Sequence, residues 1–231
     1  MICTIHQPNY LPYLGFFEKA YRSDVFILYD TTQFKKNDWQ NRNKICTSKG
    51  WEWITVPVVH EFGLSIMETR INNPTKTLIK NWRSLQTTYG KAPFFKKYSS
   101  DLEEIYSGSY EIIGDFTGKL IIAIAGFLGL KTKFIRSSQL PPITSKSTQA
   151  LIDLTKLAGG DTYIAGGEGI NYMDMDLWNS TGLKIEFQHY THPKYKQFNN
   201  PDFQSHMCAL DLIFNYGEES LAILTGEKSA E

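Results

Sequence analysis

The start of the chain constrains the fold most, because it predicts a strand, a loop, a short helix and a second strand in succession. Ile2 to Ile5 is a short β-prone run, and Asp24 to Asp30 contains an apolar run that ends in a carboxylate. Between them, Tyr13 to Tyr21 places apolar side chains at helical spacing. Two strands joined through a helix form a parallel pair, so we predict that these strands are adjacent in an open sheet.

The rest of the chain alternates turn signals with strand-like and helix-like patterns. Arg42–Thr47 and Trp51–Val58 predict a hairpin across Ser48-Lys49-Gly50. Further strands are expected at Ile66–Ile71, Lys133–Ile135, Thr162–Ala165 and Leu183–Gln188. Helices are expected at Pro74–Tyr89, Pro93–Tyr106, Asp115–Leu128, Ser145–Leu157 and Ser205–Tyr216, the last with Ser205 as its cap. The predicted class is therefore α/β: a Rossmann-like, open, mainly parallel sheet flanked by helices, with a small antiparallel hairpin and a helical elaboration.

Bulk composition fits an ordinary globular protein. The chain has 231 residues, of which 42% are apolar and 21% charged, which suits one domain with a sizeable core. We expect a single domain over 1–231, with 74–142 as a candidate internal elaboration that is mostly helical. The formal net charge is zero, which removes the simplest argument for a dedicated nucleic-acid binder, although a local basic patch would suffice.

Cysteine usage and hydropathy indicate a reducing compartment. Cys3, Cys46 and Cys208 are odd in number and include no Cys-x-x-Cys pair, which disfavours disulfides and thiolate metal sites. The N-terminus lacks a signal-peptide pattern. Leu120 to Leu130, the longest apolar segment, is too short to cross a bilayer. We therefore expect a cytoplasmic protein without membrane insertion.

The first candidate site is the loop from His6 to Phe17, between the first strand and the first helix. Ligands of open α/β sheets bind at the carboxyl ends of strands, and a helix N-terminus there offers free N–H groups to an anion. We predict that His6 is catalytic and that substrate contacts come from Gln7, Asn9, Tyr10 and Tyr13. The alternative is a rigid loop in which His6 is only a hydrogen-bonded residue at a strand end.

The second candidate segment runs from Asp30 to Asn43. Asp30 ends the second strand, so a parallel sheet would bring it beside His6, and we predict that it is catalytic as well. It could serve as the base itself, or its carboxylate could orient the imidazole and raise the pKa of His6. Lys36 and Arg42 are predicted to bind phosphate. The further binding residues predicted here are Gln33, Trp39, Asn41 and Asn43. The alternative is a polar surface loop without a ligand.

Two later segments add weaker candidates. Tyr163 precedes a glycine-rich turn in which Gly166 and Gly167 could cradle a phosphate or a sugar, although glycines also serve plain turns. Tyr195 and Gln197 follow a stretch with two histidines. That stretch has no nearby acidic ligand, so no metal site is predicted. Cys208 has no adjacent base and is not expected to act as a nucleophile.

Together these segments resemble the WbqC-like family of bacterial proteins over nearly the whole chain. The carrying motifs are Ile5-His6-Gln7-Pro8-Asn9-Tyr10, Gly15-Phe16-Phe17, Asp24-Val25-Phe26, Gln33-Phe34-Lys35-Lys36, Trp39-Gln40-Asn41-Arg42-Asn43, Tyr163 with Gly166-Gly167, His192-Pro193 with Tyr195 and Gln197, and Asp211 to Gly217. The family typically has Ser where Cys208 stands, which further disfavours a thiol mechanism.

The resemblance implies a role in bacterial surface polysaccharide, including O-antigens with acylated amino sugars. The leading hypothesis is an amide-forming N-acyl- or aminoacyltransferase, with glycyl as one candidate group, acting on a nucleotide-linked amino sugar. The donor could be an aminoacyl-tRNA, an acyl thioester or an ATP-activated acid, and no other cofactor is expected. The alternatives are an ATP-dependent carboxylate–amine ligase and a non-catalytic protein that binds sugar nucleotides. The oligomeric state is not predicted.

A more distant likeness concerns the layout of the first strand, loop, helix and second strand. It is similar to that of nucleotidyltransferases and pantothenate synthetases, whose loop carries a His-x-Gly-His motif. Tyr13 and Phe16 replace both histidines of that motif, so the likeness extends to the fold and not to ATP chemistry.

Overall fold

The computed structural model describes residues 1–59 and 61–229. The strands within that part are β1 (Ile2–His6), β2 (Val25–Leu28), β3 (Arg42–Thr47), β4 (Gly50–Thr55), β5 (Val58–Val59), β6 (Arg70–Ile71), β7 (Lys133–Arg136), β8 (Thr162–Ala165) and β9 (Lys184–Phe187). The α-helices are α1 (Leu14–Tyr21), α2 (Pro74–Tyr89), α3 (Phe95–Ser107), α4 (Ile113–Phe127), α5 (Ser147–Leu157), α6 (Met175–Asn179), α7 (Ala209–Tyr216) and α8 (Ser220–Thr225).

A five-stranded parallel sheet in the order β7-β2-β1-β8-β9 forms the centre of the molecule. β1 and β2 are adjacent and parallel, with Cys3 opposite Val25 and His6 opposite Leu28. The predicted strand–helix–strand unit is therefore confirmed. The predicted α/β class, with helices flanking a mainly parallel sheet and a small antiparallel hairpin beside it, is confirmed as well.

Both faces of the three central strands, β2, β1 and β8, are largely buried, as expected for parallel strands. On β2, Phe26 and Leu28 belong to one apolar core and Val25 and Ile27 to the other, because successive side chains point to opposite faces. The larger core contains buried residues of α1, α2, α3, α4, α7 and α8, whereas buried residues of α5 and α6 lie in the smaller core.

The strand order creates a switch point between β1 and β8. The chain leaves β1 toward α1 on one face of the sheet, and it leaves β8 toward α6 on the other face. The loops that follow β1 and β8 therefore diverge at the carboxyl edge. This divergence opens the crevice in which ligands of open α/β sheets bind.

The antiparallel elements differ from prediction at their ends. β3 and β4 form the expected hairpin, but the predicted strand Trp51–Val58 ends at Thr55. Pro57 has no N–H for a strand ladder, and the chain continues as β5, which pairs with β6. The strand predicted at Ile66–Ile71 is reduced to Arg70–Ile71.

The last predicted helix also begins later than expected. α7 starts at Ala209 and not near Ser205, because the N–H of Cys208 donates to the Lys44 carbonyl and that of Ala209 to the Pro12 carbonyl. The short helices α6 and α8 were not predicted. Segment 74–142 holds three long helices together with β7, which is an edge strand of the main sheet.

Candidate functional site

Two clefts open at the carboxyl edge of the sheet, and His6 lines both of them. The first cleft has a volume of about 470 Å³ and is lined by His6, Asn9, Tyr13, Trp39, Asn43, Gly167, Glu168, Gln188, Tyr190 and His206. The second cleft, of about 830 Å³, is lined by Ile5, His6, Gln7, Tyr29, Thr31, Thr32, Gln33, Lys35, Ile143, Thr144, Ser145, Lys146, Ser147, Leu151, Tyr163 and Tyr172. Both therefore use the loop after β1 and residues in or after β8.

His6 is the last residue of β1 and is held in one orientation. Its Nδ1 lies 2.9 Å from the Gln7 carbonyl oxygen, an acceptor, so Nδ1 carries the proton in the neutral ring. Burial, and to a smaller extent the charge of Lys19, lowers the pKa of His6 to about 3. The imidazole is therefore neutral at physiological pH, and Nε2 is left as a hydrogen-bond acceptor.

The loop between β1 and α1 is held by the segment that precedes and begins β3. The N–H of Tyr10 donates to the Trp39 carbonyl at 2.9 Å, and the Asn43 side chain donates to the Leu11 carbonyl at 2.6 Å. Leu11 adopts a φ of 48°, a left-handed conformation that a branched side chain rarely takes. The carboxamides of this segment thus hold a strained loop in the conformation that presents Asn9 and Tyr13 to the first cleft.

Tyr13 stands at the N-terminus of α1 and folds back over its own helix. A Cβ on Gly15 would lie 2.6 Å from the Tyr13 ring, so a side chain at this position would displace the ring from its present orientation. The Gln188 side chain donates to the Gly15 carbonyl at 2.8 Å and also to Glu18. Gln188 follows β9, so this contact fixes α1 against the other half of the sheet.

His206 reaches the first cleft on an irregular segment before α7. Its ring stacks on Tyr13 with centroids 6.1 Å apart and packs on His192 at 4.6 Å. Its φ of 58° is left-handed, which no periodic pattern predicts. Gln197 closes the preceding loop, since its side chain donates to the Gln204 carbonyl and accepts from the Gln204 N–H.

The second cleft combines cations with hydroxyl groups. Lys35 and Lys146 line it, together with Thr31, Thr32, Thr144, Ser145 and Ser147. α5 begins here without a side-chain cap, so its first N–H groups are available to an anion. Ser147 has a φ of 52°, and backbone strain of this kind is concentrated at ligand sites.

Asp30 lies outside both clefts, so its predicted pairing with His6 is not formed. Its carboxylate is completely buried. Arg136 Nε and the Ser138 hydroxyl donate to one oxygen, at 2.6 and 2.7 Å, and Ser137 Oγ and the Ser138 N–H to the other, at 2.8 and 2.9 Å. Burial opposes ionisation, but these hydrogen bonds outweigh it and keep the pKa of Asp30 below its ordinary value. The carboxylate therefore anchors the loop after β7 to β2.

Several other predicted binding residues also lie away from the two clefts. Tyr10 is buried, with its hydroxyl against Tyr106 and Asn81. Asn41 donates to the Val56 carbonyl. Tyr195 and Gln197 are buried and both donate to Asp211, at 2.9 and 2.7 Å. Gly166, Lys36 and Arg42 line neither cleft.

Residues that sequence reasoning missed complete both clefts. Glu168, Gln188, Tyr190 and His206 line the first cleft. In the second cleft, the longest stretch of residues that was not predicted runs from Ile143 to Ser147 and includes Lys146. Gln188 and Glu168 follow β9 and β8, so their position after a strand was a usable signal. Lys146 follows a Pro-Pro segment without a strand, and its position depends on how α5 packs across the sheet.

Residues 1–59 and 61–229 contain no cluster of three His, Cys, Asp or Glu side chains that could hold a metal ion. In the same part of the chain, no helix has the length and apolar character needed to cross a bilayer.

Fold and site together define a Rossmann-like α/β protein with a polar, two-part cleft at the switch point of its sheet. The chain belongs to the WbqC-like protein family, whose model matches residues 7–223. It is 33% identical over 221 residues to the Uncharacterized protein Rv1507c of Mycobacterium tuberculosis, a match that covers 94% of each chain. No solved structure matches it significantly.

Proposed function

We propose that the protein transfers an acyl or aminoacyl group, glycyl being one candidate, to the amine of a nucleotide-linked amino sugar. The observation that carries this proposal is the shared position of His6 between two clefts of different character. A transferase must bring two substrates together at one acid–base group while each keeps its own binding surface.

The second cleft suits the nucleotide-linked sugar. Lys35 and Lys146 supply positive charge for a diphosphate, and the N-terminus of α5 faces the same space. Surrounding threonine and serine hydroxyls can donate to phosphate or accept from sugar hydroxyls. This assignment replaces Lys36 and Arg42 as the residues that bind the sugar nucleotide's phosphates.

The first cleft then receives the acyl donor. Its lining is polar but carries few charges, with carboxamides, tyrosines and imidazoles that can orient a carbonyl group. No side chain caps α1, whose first N–H groups could stabilise the oxyanion that forms when the carbonyl is attacked.

The reaction itself requires one proton to move. The sugar amine attacks the carbonyl carbon, a C–N bond forms, and the nitrogen becomes positively charged and strongly acidic. His6 Nε2 accepts the proton from that nitrogen and returns it to the leaving group as the bond to the donor breaks. Because the pKa of His6 is about 3, His6 is a weak base at rest, and it accepts this proton only after attack has begun.

Family membership supports the biological setting, which we propose to be the biosynthesis of bacterial surface polysaccharide, including O-antigen. Within this setting the product is an N-acylated amino sugar that is still linked to its nucleotide.

The test combines binding with turnover. A thermal-shift screen against nucleotide-linked amino sugars, acyl thioesters and aminoacyl-tRNA identifies ligands, because a bound ligand raises the apparent stability. Mass spectrometry then detects the amide product. His6→Asn should reduce turnover on the order of 10²-fold or more while the sugar nucleotide still binds.

His189→Asn is the matched control, because His189 is an exposed histidine outside both clefts and the variant should turn over normally. Normal turnover by His6→Asn would refute the assignment of His6. Release of AMP from ATP during amide formation would identify a ligase, and ligand binding without product would identify a non-catalytic protein.

A further inference from the structure

Three of the five tryptophans lie exposed and in contact on the β3–β4 hairpin and the segment before it. Trp39, Trp51 and Trp53 are 44%, 43% and 41% exposed, whereas Trp82 and Trp178 are buried. Trp53 is the centre of the group, with ring centroids 5.6 Å from Trp39 and 5.5 Å from Trp51. Single exposed apolar residues are common, but three adjacent indoles indicate a binding surface.

Two cations are stacked on these rings. The hairpin register puts Lys44 opposite Trp53 and Arg42 two pairs further along, so both cations share a face with the tryptophans. The Arg42 guanidinium lies 4.3 Å from the Trp53 ring centroid, and Lys44 Nζ lies 4.3 Å from that of Trp51. Neither cation forms an ion pair with a described residue, so both charges remain available to a ligand.

The whole segment is basic although the chain is neutral overall. Between Gln33 and Trp53 the cationic residues are Lys35, Lys36, Arg42, Lys44 and Lys49, and the acidic ones are Asp38 and Glu52. A local excess of positive charge around exposed aromatic rings matches a ligand that alternates flat rings with phosphates.

Trp39 connects this surface to the first cleft. It lines the first cleft and also a neighbouring depression of about 310 Å³ with Asn37, Asp38, Arg42, Lys44 and Trp53. A chain bound along the tryptophans could therefore place its end among His6, Tyr13 and His206 without crossing the sheet.

We propose that Trp39, Trp51, Trp53, Arg42 and Lys44 form a binding surface for single-stranded nucleic acid. This inference rests on the proposed function, and it identifies the acyl donor as an aminoacylated RNA whose single-stranded 3′ end enters the first cleft. A neutral oligosaccharide could stack on the rings but would make no use of the unpaired cations. A thioester would need only one stacking position.

The tryptophans themselves provide the assay. Because Trp82 and Trp178 are buried, quenching of the fluorescence of the three exposed tryptophans reports on binding at this surface. Titration with unacylated single-stranded RNA of about ten nucleotides, a length within the range that one such surface covers, should quench it. The logarithm of affinity should fall linearly with that of salt concentration, by about 0.7 for each phosphate neutralised.

Trp53→Ala should weaken RNA binding roughly 5- to 150-fold, the range that corresponds to the loss of one stacked base. Lys44→Ala should reduce the salt slope by about 0.7 and leaves the three indoles in place, so it tests the surface even if Trp53→Ala proves unstable. Tyr21→Ala is the control, because Tyr21 is similarly exposed, at 46%, but lies at the far end of α1.

The outcomes separate the two proposals. The proposed RNA-binding surface would be overturned if RNA affinity were absent, insensitive to salt or unchanged by both variants. The proposal of acyl transfer from a thioester would remain intact. Stronger binding of a neutral oligosaccharide, or a change in oligomeric state when Trp53 is replaced, would also overturn it. RNA binding together with transfer from a thioester but not from aminoacyl-tRNA would overturn only the identity of the donor.

Discussion

Replacing Asp211 with asparagine should stabilise the protein at neutral pH and have little effect near pH 4. Asp211 lies in the first turn of α7 and is completely buried. Tyr195 and Gln197 both donate to its Oδ2, and it forms no ion pair with any residue that the structure describes. Burial raises the pKa of Asp211 to about 6, against the lowering effect of the hydrogen bonds from Gln197 and Tyr195.

The sign of the effect follows from this raised pKa. Below the ordinary value of 3.8, the carboxyl is protonated in both the folded and the unfolded chain. Between that value and about 6, the unfolded chain releases its proton while the folded chain retains it, so stability falls as the pH rises. The shift of about two pKa units, at 1.36 kcal/mol each, corresponds to a loss of about 3 kcal/mol above pH 6.

Other groups near Asp211 do not titrate in this window. Burial raises the pKa of Tyr89, Tyr195, Cys46 and Cys208, which all stay uncharged below pH 7. His6 and His192, whose pKa values burial lowers to about 3 and about 4, give the opposite trend in both proteins. The informative quantity is therefore the difference in unfolding free energy between Asp211→Asn and the wild type.

Urea denaturation followed by tryptophan fluorescence measures this difference at intervals from pH 4 to pH 8. The asparagine retains an oxygen that can accept from Tyr195 and Gln197, and it cannot ionise. The variant should gain about 3 kcal/mol relative to the wild type across this range. Asp101→Asn, at an exposed position on α3, should show no such gain. Parallel stability curves for Asp211→Asn and the wild type would refute the reasoning.

Two further predictions concern the anchors around β1 and β2. Asp30→Asn should lower the free energy of unfolding by about 3 kcal/mol or more, because it leaves Arg136 without its buried partner. Asp115→Asn removes only the more exposed partner of Arg136 and should cost less than about 1 kcal/mol, so equal losses in urea denaturation would contradict this assignment. Lys19→Met should raise the pKa of His6 by removing a nearby charge, although burial should keep it below 6.5. An NMR titration of His6 checks this expectation, with Lys19→Arg as the charge-preserving control and an unchanged pKa in Lys19→Met as the contrary result.

The local sequence pattern was sufficient to predict that β1 and β2 pair, but it was insufficient to predict where the site lies. The β1–α1–β2 unit is contiguous in sequence, so periodicity and the handedness of parallel connections determine its pairing. The insertion of β8 between β1 and β9 joins segments about 160 residues apart, as in the bond from the Thr4 hydroxyl to the Ile164 carbonyl. That distant pairing creates the switch point, and no local pattern encodes it.

The carboxamide-rich segment shows a second limit. Its density of Asn and Gln predicted ligand contacts, yet Asn43 and Asn41 donate to the Leu11 and Val56 carbonyls, and Gln40 donates to Gln7. Each partner lies in another segment, so the sequence alone cannot distinguish a loop that binds a ligand from one that holds its neighbour. The left-handed conformation of Leu11 shows why its carbonyl needs the hydrogen bond from Asn43.

Asp30 and Asp211 illustrate how a buried carboxylate can have opposite effects on the stability of the fold. Asp30 receives four hydrogen bonds, one of them from Arg136, and remains ionised because the donors replace the water that it loses. Asp211 receives two from Tyr195 and Gln197 and has no cation, so its ionisation costs stability. That cost is tolerable if Asp211 fixes the segment that carries His206 to the first cleft. Asp211→Asn should then combine higher stability with a less well positioned His206, because a neutral amide accepts the hydrogen bonds of Tyr195 and Gln197 less strongly than a carboxylate does.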